Sequence, residues 1–447
     1  MNKLMVKNNS KNERMSKIPS NWNAFRLKDI GYLYSGLSGK SAEDFTDASQ
    51  FSAPFIPFTN VANNFYLSIG NMRSVIIYPT ESQNYVKKND FFFLMSSEGY
   101  EDIGKSSLLI RELSQRTYLN SFCKGFRLNK KNIDARYLNY FLHSVFCRNQ
   151  IIVEGKGFTR INLKMEKIND LKLWAPPLNT QYQISKLLDN KTSLINDEIE
   201  LLFQKANHYE KLKKSLINET VIHGLNKTVS MKDSGIEWIG KVPNHWNVSA
   251  ITNLTSVVSI KNHPDEELLS VYRDYGVIIK SSRDDNHNKE GANLAGYKLV
   301  MPGYLVINKM KAWQGSLGVS EHRGIVSPAY ITCKTNNKLV ERRYLHHLLR
   351  CQRYIDQYNH LSFGVRNDQW DMRYEDFKYV PVLLPPKEEQ KAIADYLDEK
   401  TAKIDQIVIT INQQIENLKE LRKTLINDVV TGKIKLTQDD NNEGLAA

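Results

Sequence analysis

Cysteine is scarce. Cys123, Cys147, Cys333 and Cys351 are the only four in 447 residues, too few for a disulfide framework and in keeping with a reducing cytoplasm. Long apolar runs are missing too. No stretch reaches the roughly 18 residues needed to cross a bilayer, and the polar opening Met1–Lys17 lacks the apolar centre of a signal peptide. The expected location is the cytoplasm, with no membrane partner. Acidic residues fall short of basic ones, 49 against 61, leaving a formal net charge of +12. Such an excess suits a polyanionic partner, although a solvated basic surface meets it equally well. With 25% charged and 41% hydrophobic residues the balance is globular, with room for two to four domains.

What the chain does contain is a repeat. Ile18-Pro19-Ser20-Asn21-Trp22 returns 224 positions later as Val242-Pro243-Asn244-His245-Trp246. Pro176-Pro177, Gln181, Ile184, Leu188-Asp189 and Lys191-Thr192 return 209 positions later as Pro385-Pro386, Gln390, Ile393, Leu397-Asp398 and Lys400-Thr401. Lys214–Asn218 matches Lys423–Asn427 at the same offset. Agreement at one offset over such a span marks a tandem duplication.

The later part of each half is helical. Leu188, Ile195, Leu202, Tyr209 and Leu216 lie seven apart, as do Leu397, Ile404, Ile411, Leu418 and Leu425. Ile199 and Ala206, with Val408 and Ile415, fill the second seam position of a heptad. No proline or glycine interrupts Gln181–His223 or Gln390–Thr431, and each run stops at a glycine, Gly224 or Gly432. Helices on the order of 65 Å need a partner to bury the stripe, and the other copy is the economical one. The earlier parts alternate β-like runs (Phe55–Val61, Phe91–Met95, Leu299–Ile307, Ile325–Cys333) with turns. Each then carries one short helix signal, Tyr137–Phe146 or Tyr344–Tyr354, and a glycine–arginine turn ending at Arg160 or Arg366.

The expected fold is therefore α+β: two globular domains alternating with two long helices that pair as an antiparallel coiled coil, in a pseudo-twofold tandem duplication. The divisions fall at a basic tail 1–17, a first domain 18–176, a helix 177–224 and a linker 225–243. A second domain 244–384, a helix 385–433 and a tail 434–447 follow. The helices are electrically neutral, so the rest of the chain holds the whole excess, and the linkers and C-terminal tail sum to −2 within it. Residues 21–175 carry +6, 244–384 carry +4 and the tail up to Pro19 another +4. That is the distribution of a spacer holding two nucleic-acid-binding heads.

Several chemical motifs fail on inspection. Gly99-Tyr100-Glu101-Asp102-Ile103-Gly104-Lys105-Ser106 satisfies the phosphate-loop expression. However, two carboxylates sit inside it and strand-like residues follow it, so no helix N-terminus would face a nucleotide. Pro264-Asp265 has no partner Asp/Glu-x-Lys in the hundred residues that follow it, the first being Asp376-Phe377-Lys378, and Ala175-Pro176-Pro177-Leu178 lacks the polar and aromatic flanks of an amino-methyltransferase motif. His143/Cys147 and His347/Cys351 share a one-turn spacing without a second metal-ligand pair nearby, and His346-His347 reads as helix surface. No catalytic, cofactor-binding or metal residues are assigned.

With domain, helix, domain and helix in that order, the chain resembles the DNA-specificity (S) subunit of type I restriction-modification systems. The resemblance rests on the two Trp-ended openings, Trp238-Ile239-Gly240-Lys241 before the second, Pro385–Ala394 and Gly432-Lys433-Ile434. Pro302–Met310 and Gly324–Tyr330 add to it. Departures are Asn179-Thr180 where the second copy has Glu388-Glu389, and Lys88-Asn89-Asp90 where a Pro-Gly turn is expected. The resemblance implies that each globular part is a target-recognition domain reading one half of a bipartite, asymmetric sequence in double-stranded DNA. The helices would set the gap and dock two modification (methyltransferase) subunits, with restriction (motor-nuclease) subunits joining them. Adenine-N6 methylation and ATP-dependent cleavage, with S-adenosylmethionine, ATP and Mg, would then belong to the partners and not to this chain. Candidate DNA contacts are Lys105, Arg160, Arg283, Lys309, Lys311, Trp313, Gln314 and Arg366. Two other readings stay open: a self-contained restriction enzyme or DNA methyltransferase, and a coiled-coil scaffold that binds no DNA.

Overall fold

The computed structural model describes residues 19–157, 160–283, 293–364 and 370–434. Two compact units divide the chain: Met1–Leu201 with Gln414–Ala447, and Leu202–Gln413. Each therefore takes one globular part together with a share of both long helices.

The long helices span Leu178–His223 and Lys387–Val430, 46 and 44 residues. Each begins directly after the paired prolines, whose last carbonyl accepts from the amide of Gln181 or Gln390. The heptad stripe is the buried face. Leu188, Ala206, Leu397, Ile404, Ile411 and Ile415 are buried, the other stripe positions are partly so, and most residues between them are exposed.

Pairing is antiparallel. In the first unit Ile184 and Leu188 share a core with Ile426, Val429 and Val430, and Arg422 donates to Asn196. In the second, Val221 and Ile222 share one with Ile393, Ala394 and Leu397, and Lys213 pairs with Asp405. From 196 to 213 the first helix advances by the same number of residues as the second retreats from 422 to 405.

Both heads are built on the same antiparallel four-stranded sheet. In the first unit the order is Gly31–Ser35, Cys123–Leu128, Phe91–Leu94, Ser106–Leu108. In the second it is Thr255–Val257, Ile331–Thr335, Tyr304–Ile307, Leu317–Val319. Register preserves the match: Phe126 faces Leu33 and Phe91, while Cys333 faces Val257 and Leu305. The first and last strands of each head also pair, Asn23–Arg26 with Lys172–Ala175 and Asn247–Ala250 with Pro381–Leu384. Each head is thus closed where it meets its helix.

The repeated Trp motif stands beside the same junction, one residue before the first strand of that pair. The amide of Trp22 donates to Pro19 O and that of Trp246 to Pro243 O, the same turn twice. A Cβ on Gly432 would stand 2.8 Å from Pro19, and one on Gly224 would stand 3.1 Å from the Trp246 ring. Each opening motif is seated against the glycine that ends a long helix. Both glycines have positive φ, +74° and +75°, the left-handed conformation that stops a helix.

Four local expectations change. The runs Leu299–Ile307 and Ile325–Cys333 are each two strands, Lys298–Val300 then Tyr304–Ile307, and Gly324–Val326 then Ile331–Thr335. Each single short helix is two: Ala135–His143 then Val145–Glu154, and Arg342–Leu349 then Gln352–His360. Ser144 breaks the first pair by turning extended and capping the next helix through the amide of Cys147. The strand expected over Phe55–Val61 stops at Ile56, and Phe58–Asn63 is helical. His346 and His347 are not surface residues. His347 is hydrogen-bonded to Asp398 at 2.7 Å, and His346 is packed against Gly276 and Gly318, with Nδ1 facing Val319 O.

Candidate nucleic-acid interface

At the C-terminal end of Phe91–Leu94 in the first unit the chain loops out and returns at Ser106. Three segments meet there. Ser96–Ser97 pairs with Ile161–Asn162, just after the glycine–arginine turn, and the amide of Met95 donates to Phe122 O. The Arg160 guanidinium lies over the exposed Phe122 ring, 5.8 Å from its centre. Lys105 is at the same end, its ammonium ion-paired with Asp102. The loop that satisfies the phosphate-loop expression leads into the strand Ser106–Leu108, so no helix points into it.

The equivalent turn of the second unit gathers four of the expected contacts. Lys309, Lys311, Trp313 and Gln314 occupy one short loop, closed by the Asn308 amide on Ser316 O and the Lys311 amide on Asn308 O. The loop is clipped to the segment after the second glycine–arginine turn. The Met372 amide donates to Lys309 O, Lys309 bridges Asp371 at 3.0 Å, and the Trp313 and Trp370 rings lie 5.4 Å apart. Arg366 lies outside the described residues. Arg283 is on a different hairpin, over the rings of Tyr272 and Tyr275 at 5.7 and 4.7 Å.

Residues that the sequence did not single out extend this surface. Asn308 faces the Tyr330 hydroxyl at 3.4 Å, and the partly buried Lys298 ammonium donates to Tyr330 O. Burial first, and then the neighbouring ammonium groups of Lys261 and Lys309, hold the Lys298 pKa below its ordinary value. Lysines crowding one another in this way favour an anion. The missed signal was the interleaving of Tyr297, Lys298, Tyr330 and Trp370 with the cations, which only strand pairing brings together.

Among the described residues no three His, Cys, Asp or Glu side chains are grouped to hold a metal ion. His143 instead faces Asn139 O through Nδ1 at 2.9 Å, and its pKa is pushed down to about 4, chiefly by burial. No helix among the described residues is long and apolar enough to cross a membrane.

Two copies of one α+β head, each ending in a cationic and aromatic loop cluster beside a self-paired helix, define a DNA-recognition protein with two reading domains. The type I restriction modification DNA specificity domain matches residues 19–204 and 243–417, and the chain belongs to that family. It is 23% identical to the putative type I restriction enzyme MjaX specificity subunit of Methanocaldococcus jannaschii, over 96% of this chain and 97% of that one. It is 21% identical to the EcoKI specificity subunit of Escherichia coli K12, over 94% and 90%. In fold it is similar to a chain from a structure of type I R-M complex assembly, with TM-score 0.69, 14% identity and coverage of 94% and 100%. The HsdS subunit of Thermoanaerobacter tengcongensis follows at TM-score 0.52 and 16% identity, covering 94% and 98%.

Proposed function

We propose that this chain is the address-reading subunit of a cytoplasmic type I restriction-modification complex. Each head reads one half of a bipartite, asymmetric sequence in double-stranded DNA, and the paired helices set the gap. Two methyltransferase subunits dock on the helices, and motor-nuclease subunits join that core. Adenine-N6 methylation and ATP-dependent cleavage, with their S-adenosylmethionine, ATP and Mg, belong to those partners. The observation that carries the reading is the doubled loop cluster. In both heads the loop following the central strand is tied to the segment after a glycine–arginine turn, by Ser96–Ser97 on Ile161–Asn162 and by Lys309 on Met372. Lysine and arginine there release phosphate counterions, while Asn308, Gln314 and the Arg side chains carry the donors and acceptors that read base edges.

The test is a paired insertion. One heptad placed after Gln204 and another after Gln413 keeps the antiparallel stripe in register. It lengthens the pair by about 10 Å, or about three base pairs. Methylome mapping of cells carrying the full complex should then show both half-sequences unchanged and the gap between them enlarged. An unaltered gap, or altered half-sequences, would refute the reading.

A further inference from the structure

The first unit has a second basic feature, at the opposite end of its four-stranded sheet. Phe91–Leu94 runs from Asp90 toward the loop cluster, and its antiparallel neighbour Cys123–Leu128 runs from Phe122 back toward Lys130. Lys87, Lys88, Lys130 and Lys131 therefore lie about one strand length, roughly 14 Å, from the loops that carry Arg160 and Phe122. There a cleft of about 580 Å³ opens between the sheet end, the start of the helix Ala135–His143 and the first turns of the long helix.

Six cations line the cleft against two carboxylates. Arg127 is held by Asp90 at 2.6 Å and Arg136 by Asp189 at 3.1 Å, so neither is available. Asp134 is occupied as well, accepting from the Tyr137 amide and the Ser185 hydroxyl. Lys87, Lys88, Lys130 and Lys131 are exposed, and among the described residues no carboxylate is recorded within ion-pair distance of any of them. Tyr182, 53% exposed, lines the same cleft. The second head lacks this arrangement. By strand register Met301, Pro302, Asn337 and Lys338 stand at the four lysine positions, and Lys391 stands where Tyr182 does.

We propose that this cleft docks an acidic surface of a partner protein on the first head alone, separately from the nucleic-acid interface. Lys88, Lys130 and Lys131, with Lys87 over the Tyr85 ring at 5.2 Å, surround one exposed tyrosine and match the charged rim and aromatic anchor of a protein interface. The loop cluster recurs in both heads and the four lysines do not, which favours a partner other than the duplex. The partner would therefore distinguish the two otherwise duplicated heads.

The test uses the full chain, a labelled oligoglutamate peptide as the probe and a random-sequence duplex as the comparison. The cleft variant carries Lys87→Gln, Lys88→Gln, Lys130→Gln and Lys131→Gln. A comparator removes the same charge through Lys124→Gln, Lys156→Gln, Lys164→Gln and Lys172→Gln. Peptide affinity should fall about tenfold or more in the cleft variant and change about twofold or less in the comparator. It should return when the four cleft lysines become arginine, and the duplex affinity of the cleft variant should stay at the parent value. Equal peptide losses in the two variants would mean that net charge, not the cleft, is responsible. A parallel loss of duplex affinity would assign the cleft to the DNA path. Peptide binding that appears only after deletion of the acidic segment 435–447 would mean occupancy in cis. Each of these results overturns the proposal, as would no loss at all.

Discussion

Gln181 and Gln390 make the same three hydrogen bonds, each in its own unit. Gln181 accepts from the Asp134 amide at 2.8 Å and donates to Asn132 O and Pro176 O at 3.1 and 2.8 Å. Gln390 accepts from the Glu341 amide at 2.8 Å and donates to Leu339 O and Pro385 O at 3.1 and 2.9 Å. Both are buried side chains on the first turn of a long helix, and each satisfies backbone groups at the entry to the head's own helix. The amide group suits this position because it donates and accepts at once.

Gln390→Ala should therefore destabilise the second unit by about 2–4 kcal/mol, because three buried backbone groups lose their partner together. Gln181→Ala should do the same to the first. Calorimetry of each variant should show one shifted transition and one unmoved. A loss below about 1 kcal/mol would mean that water replaces the side chain.

Gly224→Ala tests the helix end. The φ of +74° is unfavourable for alanine, and the new Cβ would press on the Trp246 ring. The expected cost is about 1–2 kcal/mol, read from urea unfolding monitored by tryptophan fluorescence. The matched change at Gly235, where φ is +73° with nothing within 4 Å, carries only the backbone part of that cost. The difference between the two isolates the contacts with Trp246 and the Glu389 carboxylate, both 3.1 Å from the new Cβ.

Acid should weaken both units before the carboxylates titrate. Burial pushes the His143 pKa down to about 4 and that of His346 well below its ordinary value, the latter with help from Arg350 and His347. Because the folded pKa is the lower one, the unfolded chain takes up the proton first. The stability is present above the unfolded value near 6.5 and drains away as pH falls toward the folded pKa. Each histidine should contribute a slope of about 1.4 kcal/mol per pH unit in that window. Melting temperatures of His143→Gln and His346→Gln between pH 7 and about 4.5 should show a shallower decline than the parent. An unchanged slope would mean that neither imidazole is neutral by burial.

What the sequence revealed and what it hid follow from the range of the contacts. The heptads, prolines, glutamines and end glycines were legible because one side of each contact is a helix with fixed periodicity. Lys88-Asn89-Asp90 looked like a departure from the second copy's Pro-Gly turn. In the structure Asn89 has φ +68° where Gly303 has +92°, so asparagine, which tolerates the left-handed region, does the glycine's work. His347 was misread as surface because Asp398, the carboxylate that holds it, is 51 residues away in sequence. The Lys298–Tyr330–Asn308 surface was invisible for a similar reason, since it forms only when separate hairpins pair.

Lys298 offers the sharpest check on that surface. If Lys298 contacts phosphate, it acts on affinity without reading bases, so Lys298→Gln should weaken cognate and random duplexes by the same factor. The slope of log affinity against log salt should flatten by about one. Trp313→Ala should behave differently. Loss of the ring paired with Trp370 at 5.4 Å removes a stacking element, so affinity should fall with the salt slope preserved. Titrations of the assembled complex at several salt concentrations separate the two. If Lys298→Gln penalised only the cognate duplex, Lys298 would be a base reader, and phosphate binding at this surface would have to come from Lys261 and Lys309.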